Sequence, residues 1–488
     1  MKTLSAIGLV VLSSSLCWGA DLPRSTPEAQ GVSSPGVLAF VEAADQGIDS
    51  LHSVMLLRHG HVVAEGWWAP YSADAPHSLF SLSKSFTSTA VGLAVAEGKL
   101  SVDDLVMSFF PDEALPEPAA NLKSMRLSDL LRMSTGQQTE PARRPTEPWA
   151  KTFLAHPVPF KPGTHFLYNT SATYMLSAAV QKATGQTVLD YLRPRLFEPL
   201  GIDKPTWEAS PQGITAGGYG LSIRTEDIAK FGQLYLQKGK WRGKQVLPES
   251  WVAAVTARQT SNGSNPKSDW EQGYGYQFWR CRHGAYRGDG AFGQFCIILP
   301  EEDAVIAITA GVRDMQAVLN LVWDKLLPGI SPSPLPPDEA ARAKLESTLK
   351  GLSLRVPEGK GTPAKVAGRK YAFPANDRKV ESLTLETDGK DGAVTLVARV
   401  DGAERRIACG HSAWQKGRAA WGRLPEQPTA AAGAWTADDT FTAKVCFTET
   451  PFIVTVRLKF TGDELHLESE WNVGFGPMKD ALLVGKAE

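Results

Sequence analysis

Three serines in this chain are followed three residues later by a lysine: Ser81 with Lys84, Ser264 with Lys267, and Ser347 with Lys350. Residues three apart share a helix face, so such a pair can bring a hydroxyl within hydrogen-bonding reach of an amine. A lysine buried at a helix amino terminus is disfavoured as a cation and can hold or relay a serine proton. The same terminus offers a free backbone N–H to an oxyanion. Together these groups would support nucleophilic acyl transfer. The three pairs differ in setting. Pro266 interrupts the second, within Asn262-Gly263-Ser264-Asn265-Pro266, and the third lies on a charged helix expected to face solvent. Only Ser81 and Lys84 open an apolar helix. On the motif alone, an N-capping serine followed by a surface lysine is the simpler reading.

The elements around this pair follow from its neighbours. An Ala-rich helix is expected from about Leu82 to Glu97, with Phe86, Ala90, Leu93 and Ala94 on one face and Gly98 as its stop. Before it, Leu51 to Trp68 reads as a hairpin turning at Gly60. His59 and His61 flank that turn without a third metal ligand nearby and read as ordinary loop histidines. Further helices are expected at Ser128 to Met133, Tyr174 to Thr184 and Glu226 to Lys238, the last with Thr225 as N-cap. Strands are expected at Tyr274 to Cys281, Ala285 to Asp289, Phe295 to Leu299 and Ala304 to Thr309. Strands at both ends and helices between predict an α/β (α+β) domain, an antiparallel sheet flanked by helices, over residues 21–327. Five prolines between Pro328 and Pro337 predict a stiff linker, with a charged helix after it. From about residue 361 the period changes to two, as in Val454, Val456, Leu458 and Phe460, which predicts a small antiparallel barrel or sandwich of roughly eight strands.

The text between Glu65 and Gly136 resembles the serine β-lactamase, D,D-peptidase and penicillin-binding-protein superfamily. The likeness is strongest to its class C-like branch of esterases, D-aminopeptidases and 6-aminohexanoate-dimer hydrolases. It rests on Leu79-Phe80-Ser81-Leu82-Ser83-Lys84-Ser85-Phe86-Thr87, on Ala96-Glu97-Gly98-Lys99-Leu100-Ser101, and on Leu130-Leu131-Arg132-Met133-Ser134-Thr135-Gly136. Pro162-Gly163, Pro199-Leu200-Gly201, Gly217-Gly218 and the run from Thr225 to Gly232 continue it in order. The resemblance implies that Ser81 is the nucleophile and that Lys84 and Tyr168 handle its proton, with Tyr168 acting as phenolate or paired with Lys84. The family's Tyr-x-Asn is broken here: the text is Tyr168-Asn169-Thr170, so Asn169 either reaches substrate from a shifted position or leaves that contact missing, and it reads equally as an ordinary turn or helix-capping asparagine. The family's third motif has its counterpart in Gly288-Asp289-Gly290, which lacks a cation unless Arg287 supplies one, with His283-Gly284 as a lesser alternative. By the same analogy Asn169, Arg287, Gly288, Asp289 and Gly290 would bind substrate. The backbone N–H groups of Ser81 and Ala291 would form the oxyanion hole.

Composition sets outer bounds. A formal charge of −1 over 488 residues gives no electrostatic support for a nucleic-acid or membrane-surface partner. Met1-Lys2, an apolar run to Leu12 and small residues up to Ala20 have the layout of a secretory signal peptide, so a periplasmic or secreted protein is expected. Its apolar run is shorter than the ~20 residues that span a bilayer. Cys281, Cys296, Cys409 and Cys446 would remain after cleavage. They suggest the pairs Cys281–Cys296 and Cys409–Cys446 or, equally, four small buried hydrophobes. The reading as a whole is an exported serine hydrolase acting on a small ester, an amide or a D-residue peptide, with no metal or cofactor required. Its rival is a penicillin-binding or sensing protein that acylates without turnover. Neither reading specifies an oligomeric state.

Overall fold

The computed structural model describes residues 21–113, 117–359, 366–387 and 393–488; the expected signal segment lies outside them. The first unit is built on a six-stranded antiparallel sheet. Its framing elements are helix α1 (Ser34–Gly47), strands β1 (Leu51–Arg58) and β2 (His61–Trp67), and helices α2 (Ser83–Ala96), α3 (Leu127–Leu131), α4 (Thr170–Thr184) and α5 (Thr225–Leu236). The sheet is completed by β3 (Trp279–Arg280), β4 (Tyr286–Gly290), β5 (Gln294–Leu299) and β6 (Ala304–Ala310), in the order β2-β1-β6-β5-β4-β3. The early and late segments of this unit therefore meet at the β1–β6 pair, where Met55 faces Ala307 and Leu56 faces Ile306.

Every residue of β1, β5 and β6 is buried because both faces of the sheet are covered. Met55, Leu57, Cys296, Ile298 and Ala307 pack into the core shared with α2, α4 and α5. Val54, Leu56, Ile297, Ile306 and Ile308 pack on the opposite side, under α1 and the helix α6 (Glu339–Lys350) that follows the proline-rich stretch. That stretch does not hang free. The N–H of Ser331 donates to the carbonyl of Gly31 at 2.7 Å and the N–H of Leu335 to that of Glu28 at 2.8 Å, so the chain returns across the first unit before leaving it.

Three local expectations are corrected. The segment Tyr274 to Cys281 is strand only at Trp279–Arg280. Gly275 lies so close to the carbonyl of Val255 that a Cβ would sit 1.9 Å from it, and Gln277 takes a φ of 67°, which breaks the extended run. The N-cap of α5 is Arg224, not Thr225: the Asp227 carboxylate closes the turn by accepting the Arg224 N–H at 3.1 Å. The Thr225 hydroxyl is thereby left to bond Ser53 Oγ on β1 at 2.7 Å. The carboxy-terminal unit has ten strands rather than eight.

Those strands are β7 (Lys370–Ala372), β8 (Val380–Thr387), β9 (Val394–Val400), β10 (Ala403–Cys409), β11 (Gln415–Trp421), β12 (Leu424–Ala437), β13 (Thr440–Phe447), β14 (Ile453–Thr461), β15 (Glu464–Trp471) and β16 (Leu483–Ala487). They run in the order β10-β9-β8-β7-β16-β15-β14-β13-β12-β11. A bridge between Gly410 and Ala432 draws the two edges toward each other into a near-barrel. Alternation along β14 is regular, with Val454, Val456 and Leu458 buried and Thr455, Arg457 and Lys459 more exposed. The four described cysteines are free and buried. Cys281 and Cys296 lie in cores on opposite faces of the first sheet, and Cys409 and Cys446 likewise lie in separate cores, so the suggested pairs do not meet.

Candidate active site

Ser81 sits in a single turn of 3-10 helix, Phe80–Leu82, that runs into α2. Leu79 anchors the turn by donating its N–H to the carbonyl of Leu221 at 2.8 Å. Phe80 then takes a φ of 47°, an unfavourable conformation for an aromatic residue, and Ser81 is left partly exposed at the helix entrance. Strand β4 lies hard against this turn. A Cβ on Gly290 would fall 2.0 Å from the carbonyl oxygen of Leu79, and one on Gly288 would fall 2.5 Å from Ser85 Oγ. These two glycines are therefore needed for close packing, and neither has a side chain to offer substrate. The close approach also brings Ala291, the next residue, beside the nucleophile turn.

Lys84 is buried, and its Nζ lies 3.0 Å from Ser81 Oγ, 2.8 Å from the carbonyl oxygen of Gly218 and 3.3 Å from Thr170 Oγ1. Burial brings its pKa down from 10.5 to about 7; Arg143 pushes the same way, while Glu140 and Asp289 oppose. As a neutral amine Lys84 has two N–H bonds and one lone pair. The Gly218 carbonyl can only accept, and with Thr170 Oγ1 as the second acceptor the lone pair is left for the Ser81 hydroxyl. Gly218 is required here, because a Cβ on it would lie 2.5 Å from Thr170 Cγ2 and 3.5 Å from Lys84 Nζ.

Tyr168 closes the cluster. Its hydroxyl lies close enough to Ser81 to interact with it, its ring stacks on Trp279 at 5.2 Å between centroids, and the Lys84 amine lies 4.9 Å from its ring centroid. Burial, with Asp289 adding to it, pushes its pKa well above the ordinary 10 although Ser81 pulls it down. Tyr168 is therefore a neutral phenol near neutral pH, and of the two groups Lys84 is the one poised to accept a proton.

The remaining residues named from the sequence lie differently from one another. Asn169 is fully buried and caps α4, its Oδ1 accepting from the Ala172 N–H at 3.0 Å while its Nδ2 donates to Gln137 at 2.7 Å. The residue two beyond Tyr168, where Tyr-x-Asn carries its amide, is Thr170, and it is Thr170 that touches Lys84. Arg287 is fully buried beneath Trp270, with 4.4 Å from guanidinium carbon to ring centroid. Its Nε and Nη2 reach one oxygen of Asp289 at 2.9 and 2.8 Å, and its Nη1 donates to the carbonyl of Asp269 at 2.7 Å. It holds Asp289 in place and presents no charge to a ligand. Asp289 is 6% exposed, with Trp279 close beside it. Sequence reasoning missed Thr170, Gly218 and Trp279 as site residues. It also missed an aromatic rim in which Phe80 meets Phe292 at 5.4 Å and Phe475 of the near-barrel meets Phe292 at 4.9 Å. Only the Gly217-Gly218 pair had left a trace, as part of the family likeness.

A family model described as Beta-lactamase matches residues 40–318. The 6-aminohexanoate-dimer hydrolase of Paenarthrobacter ureafaciens is 26% identical over 275 residues, 52% of this chain and 70% of that protein. A D-aminopeptidase of Brucella anthropi is 26% identical over 164 residues, 31% of each chain. Among solved structures, a Bacillus anthracis protein described as a candidate 6-aminohexanoate-dimer hydrolase superposes with a TM-score of 0.52 at 19% identity, over 63% of this chain and 87% of its own.

Proposed function

Because the chain belongs to the beta-lactamase family of hydrolases, related to amidases and D-peptidases, we propose that it is a serine hydrolase whose nucleophile is Ser81. The observation that carries the reading is the 3.0 Å contact between Ser81 Oγ and a buried Lys84 held near neutrality. Lys84 takes the serine proton as Oγ bonds to the carbonyl carbon of an ester or amide. The backbone N–H groups of Ser81 and Ala291 hold the developing oxyanion. Tyr168 passes the proton to the leaving group as its bond to carbon breaks, and water then releases the acyl group by the same steps in reverse.

The substrate is a small ester, an amide or a peptide with a D-residue rather than a penicillin. Gly288 offers no cation for a penicillin carboxylate, and the nearest guanidinium, Arg287, is committed to Asp289. The names of the relatives, a hydrolase of 6-aminohexanoate dimers and a D-aminopeptidase, support amides bearing a free amine. The leader-like amino terminus supports export, and no helix among the described residues is long and apolar enough to cross a membrane.

Steady-state assay of a nitrophenyl ester, a D-alanine anilide and a penicillin tests this. Turnover of either of the first two, with penicillin hydrolysis at least ~100-fold slower in kcat/KM, is expected. A stable adduct with penicillin and turnover of none of the three would instead favour a sensor that acylates once.

A further inference from the structure

The near-barrel holds a half-open cavity of about 870 Å3. Ten strands set its edges farther apart than an eight-stranded barrel, whose side chains just fill the interior, so the space is a consequence of strand number. Its wall is formed by inward residues of β8, β9, β10, β14 and β15, including Leu383, Leu396, Ile407, Val456 and Leu467. A space of this size and lining lies within the range of about 300–1,000 Å3 typical of small-molecule sites.

The charges at its opening are unbalanced. Five cations and three carboxylates line it, and two of the carboxylates are already engaged: Asp401 by Lys379 at 3.1 Å and Asp480 by Arg378 at 3.9 Å. Arg405 lies on the same face of β10 as the buried Ile407 and Cys409, so it is an inward-facing, half-buried cation, and it makes no ion pair among the described residues. Arg378 holds its guanidinium 5.9 Å from the ring centroid of Trp421, and its buried Nη1 has no hydrogen-bond partner. A buried donor without an acceptor is costly unless a ligand supplies one.

We propose that this cavity binds a single-chain amphiphile with an anionic head, of the long-chain fatty-acid class. The alkyl chain lies among Leu383, Leu396, Val456 and Leu467, and the carboxylate meets Arg378 and Arg405. Phe452 lines the cavity and also approaches Phe80, the residue before Ser81, at 6.0 Å between ring centroids. The two sites are thus neighbours with separate linings.

Fluorescence titration of the full chain with dansylundecanoate, followed by displacement, tests the proposal. Saturable binding is expected, with hexadecanoate displacing the probe at least about tenfold more effectively than hexadecylamine. Leu396→Trp, which narrows the cavity where the alkyl chain lies, should weaken binding about tenfold, and Arg405→Gln should weaken hexadecanoate about tenfold while leaving hexadecanol unchanged. An unaltered Tm would show that each variant is folded. The proposal is overturned by absence of saturable binding to wild type, by affinity left unaltered in Leu396→Trp, or by equal competition from the amine. Loss of binding after Ser81 is blocked with a fluorophosphonate would place the ligand at the nucleophile and overturn it equally.

Discussion

Among single residues, Lys84 decides the chemistry of the site. The folded chain releases its proton at about 7, whereas the unfolded chain holds it to the ordinary 10.5. Two consequences follow. Because the neutral amine is the base, kcat/KM with a neutral ester should rise with pH along a curve centred near 7 and then level, and Lys84→Ala should lower it by about 10²–10⁴. Stability should move with pH as well. Below 7 the folded protein carries a buried ammonium, and between 7 and 10.5 it binds fewer protons than the unfolded chain, so folding becomes more favourable as pH rises through that window. The full difference corresponds to about 5 kcal/mol. Lys84→Met should therefore raise stability at pH 7, by about 2 kcal/mol once the orphaned Gly218 carbonyl is discounted, and the difference should reverse as pH rises, leaving the variant less stable by about 2 kcal/mol near pH 10.5. A denaturant series at several pH values reads this directly. A flat difference would mean that Lys84 is not held near neutrality.

At the scale of elements, the site depends on how closely β4 approaches the nucleophile turn. Gly290→Ala forces a Cβ onto the Leu79 carbonyl and must separate strand from turn, displacing Ala291 from Ser81. A loss of kcat of about 10²-fold or more is expected, with far-UV circular dichroism unchanged; full activity would show that the spacing is not critical. Much of this framework was legible in the sequence. The β1–β2 hairpin, α2, and the β5 and β6 strands announce themselves because both-face burial and the helical repeat leave strong apolar patterns. What escaped was contact-dependent. The tiny β3 cannot be separated from its Gly-rich loop by periodicity, and β12 contains the run Ala430-Ala431-Ala432-Gly433-Ala434, which has low strand propensity on its own. Asn169 reads from the sequence equally as the displaced amide of a motif and as a helix-capping residue, and the α4 cap claims its side chain. Thr170 bears the contact, and nothing in a hydroxyl two residues after a tyrosine marks it in advance.

At the scale of the whole molecule, the near-barrel is fastened to the nucleophile region. Glu449 offers its carbonyl to the Ser78 N–H at 2.8 Å, and Asn472 Nδ2 donates to the Gly311 carbonyl at 2.9 Å. Behind this seam lies a buried chain in which Ser50 Oγ meets His52 Nε2 at 2.8 Å, His52 Nδ1 meets His77 Nε2 at 3.0 Å, and His77 Nδ1 meets the Ser78 carbonyl at 3.0 Å. Since that carbonyl only accepts, His77 carries its proton on Nδ1, and the rest of the chain is satisfied with both rings neutral. Burial lowers His77 from 6.5 to about 4 and lowers His52 as well. The unfolded chain gains protons below 6.5 that the folded chain refuses until about 4, so stability should fall as pH drops through that interval, by about 3 kcal/mol for His77 alone. Tm measured from pH 7 to 4 should show the decline and His77→Gln should flatten it; an unchanged slope in the variant would remove His77 as its cause. None of this seam was visible in the sequence, because its partners lie far apart along the chain, Gly311 and Asn472 by 161 residues and Ser78 and Glu449 by 371.

The central claim is that Ser81 is the nucleophile. Intact-mass analysis of wild type, Ser81→Ala and Lys84→Ala after exposure to a fluorophosphonate tests it most directly. One adduct on wild type, none on Ser81→Ala and a much slower adduct on Lys84→Ala is the predicted result. Equal labelling of Ser81→Ala, or no labelling of any form, would contradict it.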